Sequence, residues 1–358
     1  MDILILGNGF DLAHDLETRY GDFLEYCKKK YSTTKNVGGN DSNNFLFENV
    51  WVKHFLNKTL EGDKWIDLEN EVYEVIKKLS RLPYFRSKNA YYMSEEYLFV
   101  LPKYYSNFNF EEINNFFVAR NSYIYRDGHI IIKINDFINF LYNQLRDFIN
   151  EFEKYLKEVE LSKIDKNNPK YKFSLAKNKQ KEMVRDVFIL NFNYTNIFEE
   201  LYANDQNNKY IIKKPVYIHG KINENNMILG TKSFSNESIS VEFNIFKKHH
   251  QRHRYGTIEA YQKLLNIIKL CQQQINFHII GHSLDSSDRE LLKHILTKNP
   301  YSTINIYYHD EEALARMQNN IDLIIGEEEV MEKVRFIYQH DLERGILIPQ
   351  EEPVLAEN

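Results

Sequence analysis

The chain opens MDILILGNGFDLAHD, residues 1–15, and how that stretch is read decides the fold. Asp2 to Leu6 is a short apolar run closed by Gly7, the pattern of a strand buried in a parallel sheet. After Gly7, Asn8 and Gly9 the sequence turns helical, through about Lys30. A strand that ends in Gly-x-Gly and enters a helix brings backbone N–H groups near a ligand. Glycine there allows close approach to a phosphate or ribose, and the helix start favours negative charge. Asn8 and Asp11 add polar side chains at the mouth of the turn. The third glycine of a dinucleotide fingerprint is missing at the usual spacing, so a plain tight turn reads the same way.

Working outward, the strand-then-polar-turn pattern returns after residue 185. VFILNFNY, VYIHG, FHIIGHSL, TINIYYH and VRFIYQ read as strands, several of them separated by helical stretches. That alternation builds a parallel sheet. The expectation is an α/β protein with a Rossmann-like, predominantly parallel sheet formed by residues 1–31 and 185–345. A mostly helical insertion would occupy 32–184. Inside it, 32–44 is a polar loop rich in Gly and Asn, and 45–80 carries helical spacing, as at Val72, Val75, Ile76 and Leu79. Residues 132–159 form a long amphipathic helix, 162–181 a polar connection, and 81–130 fit no single period.

Composition narrows the classes. At 358 residues there is material for one large domain or two ordinary ones. With 25 Tyr and 24 Phe against 2 Trp, a core and surface built from Tyr and Phe are expected. A net charge of -5 gives no overall attraction to nucleic acid or an anionic membrane, though a local basic patch is compatible with it. Cys27 and Cys271 are the only cysteines, too few for a disulfide framework or a four-cysteine zinc site. The opening apolar run is too short for a signal segment, and no run approaches the ~18 residues of a membrane span. A cytoplasmic protein is expected.

Chemistry-bearing residues gather at the strand ends, where open α/β sheets bind ligands. LNFNYTN delivers Asn191, Asn193 and Thr195 to such an end, or caps the next helix. His219, just before Gly220, is a base near neutral pH or a structural hydrogen-bonding group. IIGHSLDSSD offers Gly281, His282, Ser283, Asp285 and Asp288. These could hold ribose hydroxyls, cap a helix through Ser286 or Ser287, or ligate a metal through His282, Asp285 and Asp288. Trp65, Asp67 and Glu69 sit at a helix start, as ordinary dipole partners do. KKHHQRHR, 247–254, is a solvated face or a phosphate contact.

GNGFDLAHDLETRYGDF, KWIDLE, NFNYTN and IIGHSLDSSD, in this order, resemble the AbiH family of bacterial phage abortive-infection proteins. Where that family often reads Gly-Leu-Pro-Thr, this chain has Asp15, Leu16, Glu17 and Thr18. More distantly, the order resembles sirtuin-like NAD-binding domains. That resemblance implies that Asn193 and His219 are the catalytic pair. It also implies that Gly7, Asn8, Gly9, Phe10 and Asp11, with Gly281, His282, Ser283 and Asp285, hold NAD. A Cys-rich zinc module cannot be built here, so a metal-free, NAD-consuming defence enzyme is expected rather than a deacetylase. Its reaction would be cleavage at the N-glycosidic bond of NAD or a related nucleotide. The alternatives are a nucleotide-sensing module without catalysis and a metal-dependent nuclease or phosphohydrolase. The partners to be expected are a nucleotide, a phage-derived trigger and further copies of the chain, with no membrane.

Overall fold

The computed structural model describes residues 1–34, 49–60, 67–80, 84–86, 97–100, 124–126, 129–163, 171–173, 185–202, 210–234, 239, 241–340 and 347–349. In chain order they form β1 (Asp2–Leu6), α1 (Asn8–Leu12), α2 (Tyr20–Thr34), α3 (Val50–Leu60), α4 (Leu68–Ser80) and β2 (Tyr84–Arg86). Next come β3 (Tyr97–Val100), β4 (Ile124–Arg126), β5 (His129–Lys133), α5 (Ile134–Lys163), β6 (Tyr171–Phe173), β7 (Arg185–Asn191) and α6 (Ile197–Tyr202). They are followed by β8 (Tyr210–Ile212), β9 (Val216–Tyr217), α7 (Lys248–Arg254), α8 (Ile258–Leu270), β10 (Ile275–Ile280) and α9 (Arg289–Leu296). The last are β11 (Ser302–Tyr308), α10 (Glu311–Ile325), α11 (Glu327–Lys333), β12 (Val334–Tyr338) and β13 (Leu347–Pro349).

The main sheet has seven strands in the order β12-β11-β10-β1-β7-β8, with β9 beside β7. All of its pairings are parallel. With the two-residue β9 left out and the other six numbered by place in the chain, the path from β8 to β12 reads 3-2-1-4-5-6. That is the order of a doubly wound dinucleotide-binding sheet, whose switch point falls between its first and fourth strands, here β1 and β10. The expected α/β sheet is therefore present, with β1 joined to strands more than 180 residues later in the chain.

Strand alternation explains its core. Ile3 and Ile5, Phe277 and Ile279, and Ile304 and Ile306 are all buried in one apolar cluster. Leu264 and Ile268 of α8, Leu291, Leu292 and Ile295 of α9, and Met317, Ile321 and Ile324 of α10 complete it. The spacing within each helix puts those residues on one face, and each fully buried aliphatic side chain stabilises by about 1.5–3 kcal/mol. Residues of opposite parity carry a polar network instead. Asp2 accepts from Asn276 at 2.9 Å and meets His278 Nε2 at 3.4 Å, while His278 Nδ1 meets the Tyr307 hydroxyl at 3.1 Å. Burial alone would push the Asp2 carboxyl up, but the bonds from His278 and Asn276, with nearby positive charge, hold it below its ordinary value. Burial, then the Asp2 charge, pushes the Tyr307 phenol up.

Contacts divide the chain into two units, Met1–Thr18 with Leu156–Met227 and Tyr255–Asn358, and Arg19–Tyr155 with Ile228–Arg254. Aromatic packing accounts for the place of α2 and of the segment around Phe246 in the second unit. Phe23 of α2 lies 5.3 Å from Phe148 and 5.1 Å from Phe152 of α5, and Trp51 of α3 lies 6.3 Å from Phe246. Asn49 caps α3 by accepting from Trp51 N and Val52 N, and the Trp51 indole donates to Leu141 O at 2.9 Å. The stretch without a clear period includes part of a four-stranded antiparallel sheet, β2-β3-β5-β4. α5 runs on to Lys163, and β6, inside the expected polar connection, pairs with β13.

Candidate functional site

Register sets the geometry of the sheet's C-terminal edge. Leu6 lies opposite both Ile280 and Asn191, so the connections after β1, β10 and β7 leave the sheet side by side. Gly7 N donates to Ile280 O at 3.0 Å, Gly9 N to Gly281 O at 2.8 Å, and Phe10 N to Gly7 O at 2.8 Å. A Cβ on Gly7 would stand 2.5 Å from His282 Cα, and one on Gly9 2.7 Å from Gly281 Cα. Gly281, at φ +65°, would place its own Cβ 2.2 Å from Phe10 N. The close approach that the glycines permit is thus that of two protein backbones across the switch point. Three N–H groups that the turn was expected to offer a phosphate are donated to protein carbonyls.

Asp11 is the second element of the edge. It is 1% exposed; its Oδ1 accepts from Asn193 Nδ2 at 2.7 Å and its Oδ2 from the Thr195 hydroxyl at 2.6 Å. The other Asn193 amide hydrogen goes to Gly7 O at 3.0 Å. Both partners are acceptors only, which fixes the amide's orientation and leaves Oδ1 as the Asn193 atom able to accept a hydrogen bond from a ligand. Asn191 accepts from Asn193 N at 2.9 Å and so shapes the same turn. Phe10 packs in the core, 4.7 Å from the His14 ring and 6.0 Å from Tyr202. His14 in turn bonds Phe10 O at 2.7 Å and the Tyr202 hydroxyl at 2.6 Å. Three residues past α1, Asp15 has a φ of 59°, the left-handed conformation glycine favours, at a position where the AbiH pattern often carries glycine.

His219 is the third. Its Nε2 lies 3.1 Å from Asp288 Oδ2, and both residues are buried, at 4% and 7% exposure. Phe192 presents its ring edge-to-face to His219 at 5.4 Å and to His282 at 4.4 Å. His282 Nδ1 accepts from Leu284 N at 2.9 Å, bracing a buried leucine at φ 62°. In the sequence Asp288 reads only as a sugar contact or metal ligand. The signal for its pairing is absent from the sequence, because 69 residues separate it from His219.

The remaining candidates lie around these groups. Asn8 is exposed and accepts from the Thr18 hydroxyl at 2.6 Å. Ser283 is exposed, its carbonyl accepts from Asn320 Nδ2 of α10 at 2.9 Å, and Asp285 accepts from the same amide at 3.3 Å. No hydrogen bond joins Asn193 to His219 among the described residues. His282, Asp285 and Asp288 serve three different partners, and among the described residues no group of three His, Cys, Asp or Glu converges. Trp65 lies outside the described residues. Asp67 caps α4 by accepting from Glu69 N and Asn70 N, and Glu69 pairs with buried Lys248 at 2.6 Å. A groove of about 940 Å³ lined by Gln272, Gln274, Tyr301 and Glu332 opens at the opposite edge, before β10, β11 and β12. No helix among the described residues is long and apolar enough to cross a membrane.

Strand order and edge chemistry together define an α/β protein with a Rossmann-like sheet and a buried His–Asp pair at the C-terminal edge of that sheet. Residues 3–309 match the family described as Bacteriophage abortive infection AbiH. The chain belongs to that family, and its role is anti-phage abortive infection. No curated protein and no solved structure matches it.

Proposed function

We propose that this abortive-infection protein binds NAD or a related nucleotide at the C-terminal edge of its sheet and cleaves the N-glycosidic bond, with His219 as the base. The observation that carries the reading is the buried His219–Asp288 pair at 3.1 Å on a sheet of dinucleotide-binding order. A carboxylate on Nε2 holds its proton there and makes Nδ1 the basic nitrogen. In the reaction, water oxygen bonds to the anomeric ribose carbon and the base leaves with the electrons of the glycosidic bond. The water proton passes to His219 Nδ1, and Asp288 stabilises the imidazolium that forms. Asn193 Oδ1 accepts from a ribose hydroxyl, and the exposed Asn8 and Ser283 reach the rest of the nucleotide.

The burial of His219 and the closed glycine turn favour a second reading, a nucleotide sensor without turnover. One experiment separates the two. The purified chain is incubated with NAD, ATP, RNA and DNA, with and without a chelator, and products are identified by mass spectrometry. The expected result is chelator-insensitive release of the base from NAD, reduced about 10²–10⁴-fold in His219→Ala and also lowered in Asp288→Asn, with Cys271→Ser unchanged. NAD binding without product moves the assignment to the sensor. Product that disappears with chelator moves it to a metal-dependent hydrolase.

A further inference from the structure

We propose that the second unit carries a docking surface for a single-stranded nucleic acid, built from Lys77, Lys232, Lys247, His249, His253 and Arg254. The foundation is a pair of buried rings, Tyr73 and Phe234, stacked with centroids 5.9 Å apart. Lys232 Nζ sits 4.7 Å from the Tyr73 centroid, Lys77 Nζ 5.5 Å from it, and Lys247 Nζ 4.7 Å from the Phe234 centroid. The way Lys232 and Lys247 are held matters. A ring quadrupole fixes a cation in place without cancelling its charge, whereas a carboxylate neutralises it. Neighbouring Lys248 shows the contrast, since it is buried against Glu69 and contributes no net charge outward. Lys232 and Lys247 have no carboxylate within ion-pair distance among the described residues.

α7 extends the patch. The rings of His249 and His253, both exposed, meet edge-to-face at 4.8 Å, and the Arg254 guanidinium lies 5.4 Å over the Tyr142 ring. His250, which lies between Lys247 and His253 in the chain, loses proton affinity through burial first and then through those two groups. The basic run of 247–254 is therefore split by the fold, with Lys248 and Arg252 turned inward while Lys77 and Lys232, from elsewhere in the chain, join Lys247.

The combination selects the ligand. Ammonium groups serve phosphates, while imidazole and guanidinium planes stack on bases, whose faces are open in a single strand and hidden in a duplex. Because the whole chain carries -5, any polyanion binding must come from a local patch such as this one.

The test is fluorescence anisotropy of the full chain with a labelled single-stranded oligonucleotide of about 20 nucleotides, between about 50 and 200 mM salt. Binding should weaken with salt. In the triple variant Lys77→Gln, Lys232→Gln, Lys247→Gln the log–log slope should become shallower by about 2, and low-salt affinity should fall at least about tenfold. His249→Ser with His253→Ser alters only exposed side chains and should weaken binding at least about threefold, through lost stacking. That double variant decides the matter if the triple one does not fold. Unchanged affinity in the variants overturns the proposal. So does tighter binding of an unlabelled duplex or of phosphatidylserine vesicles used as competitors. NAD turnover in the same variants reports separately on the sheet edge, so either reading can fail alone.

Discussion

Asp11 in the first unit and Lys247 in the second are both charged residues partly or wholly withdrawn from solvent, yet the fold treats them in opposite ways. The Asp11 carboxylate is 1% exposed and takes hydrogen bonds from Asn193 and Thr195, so its charge is spent inside the protein. Lys247 is half-buried over Phe234, and desolvation lowers its proton affinity, but no carboxylate among the described residues answers it. The difference teaches what each region is for. A satisfied buried network fixes geometry and is costly to break, while a cation held by π faces keeps its field for something outside. Perturbing the first should therefore cost stability independently of salt, and perturbing the second should cost little stability and change the response to salt.

The largest effect is expected where the two backbones of the sheet edge interlock. Gly281→Ala adds a Cβ that would stand 2.2 Å from Phe10 N at φ +65°, and a backbone neighbour cannot swing away as a side chain can. Left-handed backbone costs a non-glycine residue roughly 1–3 kcal/mol before the clash is counted. Urea denaturation should show a loss of at least about 3 kcal/mol, or no folded protein, a size reserved for such steric mechanisms. A variant within about 1 kcal/mol of wild type would mean that the interlock is loose and the turn free to receive a phosphate.

Asp11→Ala comes next. It strands one Asn193 N–H and the Thr195 hydroxyl in a buried site, and each orphaned donor costs roughly 1–3 kcal/mol. The expected loss is about 3 kcal/mol, the same at low and high salt because the network is shielded from ions. Asp11→Asn, which keeps one acceptor oxygen, should lose less. A salt-dependent loss would show that the network is open to solvent and would bring it closer in kind to the cationic patch.

How much of this was legible beforehand differs between the regions for physical reasons. The sheet was readable because buried parallel strands are short apolar runs, and DILIL, VFILN and FHII need no partner to be recognised. The convergence of Gly7, Asn193, His219 and Gly281 followed from placing each at a strand end. The job of the glycines did not follow, since a turn that meets a phosphate and one that meets another backbone have the same sequence. Pairings such as His219 with Asp288, or Asp11 with Thr195, span long sequence separations that no spacing rule encodes. In the second unit KKHHQRHR looked like one basic face. A helix of 3.6 residues per turn instead sends Lys248 and Arg252 inward, four apart, and leaves His249 and His253 outside. The lysines that join them come from α4 and from the segment before the 3₁₀ turn Val241–Phe246.

The smallest expected effect is also the one that most sharpens the contrast. Lys232→Gln with Lys247→Gln removes two cation–π contacts, each worth about 0.5–1 kcal/mol where partly exposed. It also removes mutual repulsion among Lys232, Lys247, His250 and their neighbours, so the two changes offset and net stability should move by less than about 1 kcal/mol. Salt separates them. Raising ionic strength from about 0.01 M to 1 M shortens the Debye length from roughly 30 to 3 Å, which screens repulsion between exposed charges while leaving a contact to a ring nearly intact. Wild type should therefore gain more stability from added salt than the double variant does, as measured by paired urea melts. Equal salt responses would mean that the lysines are already neutralised, and the charge left over for a nucleic acid would be gone.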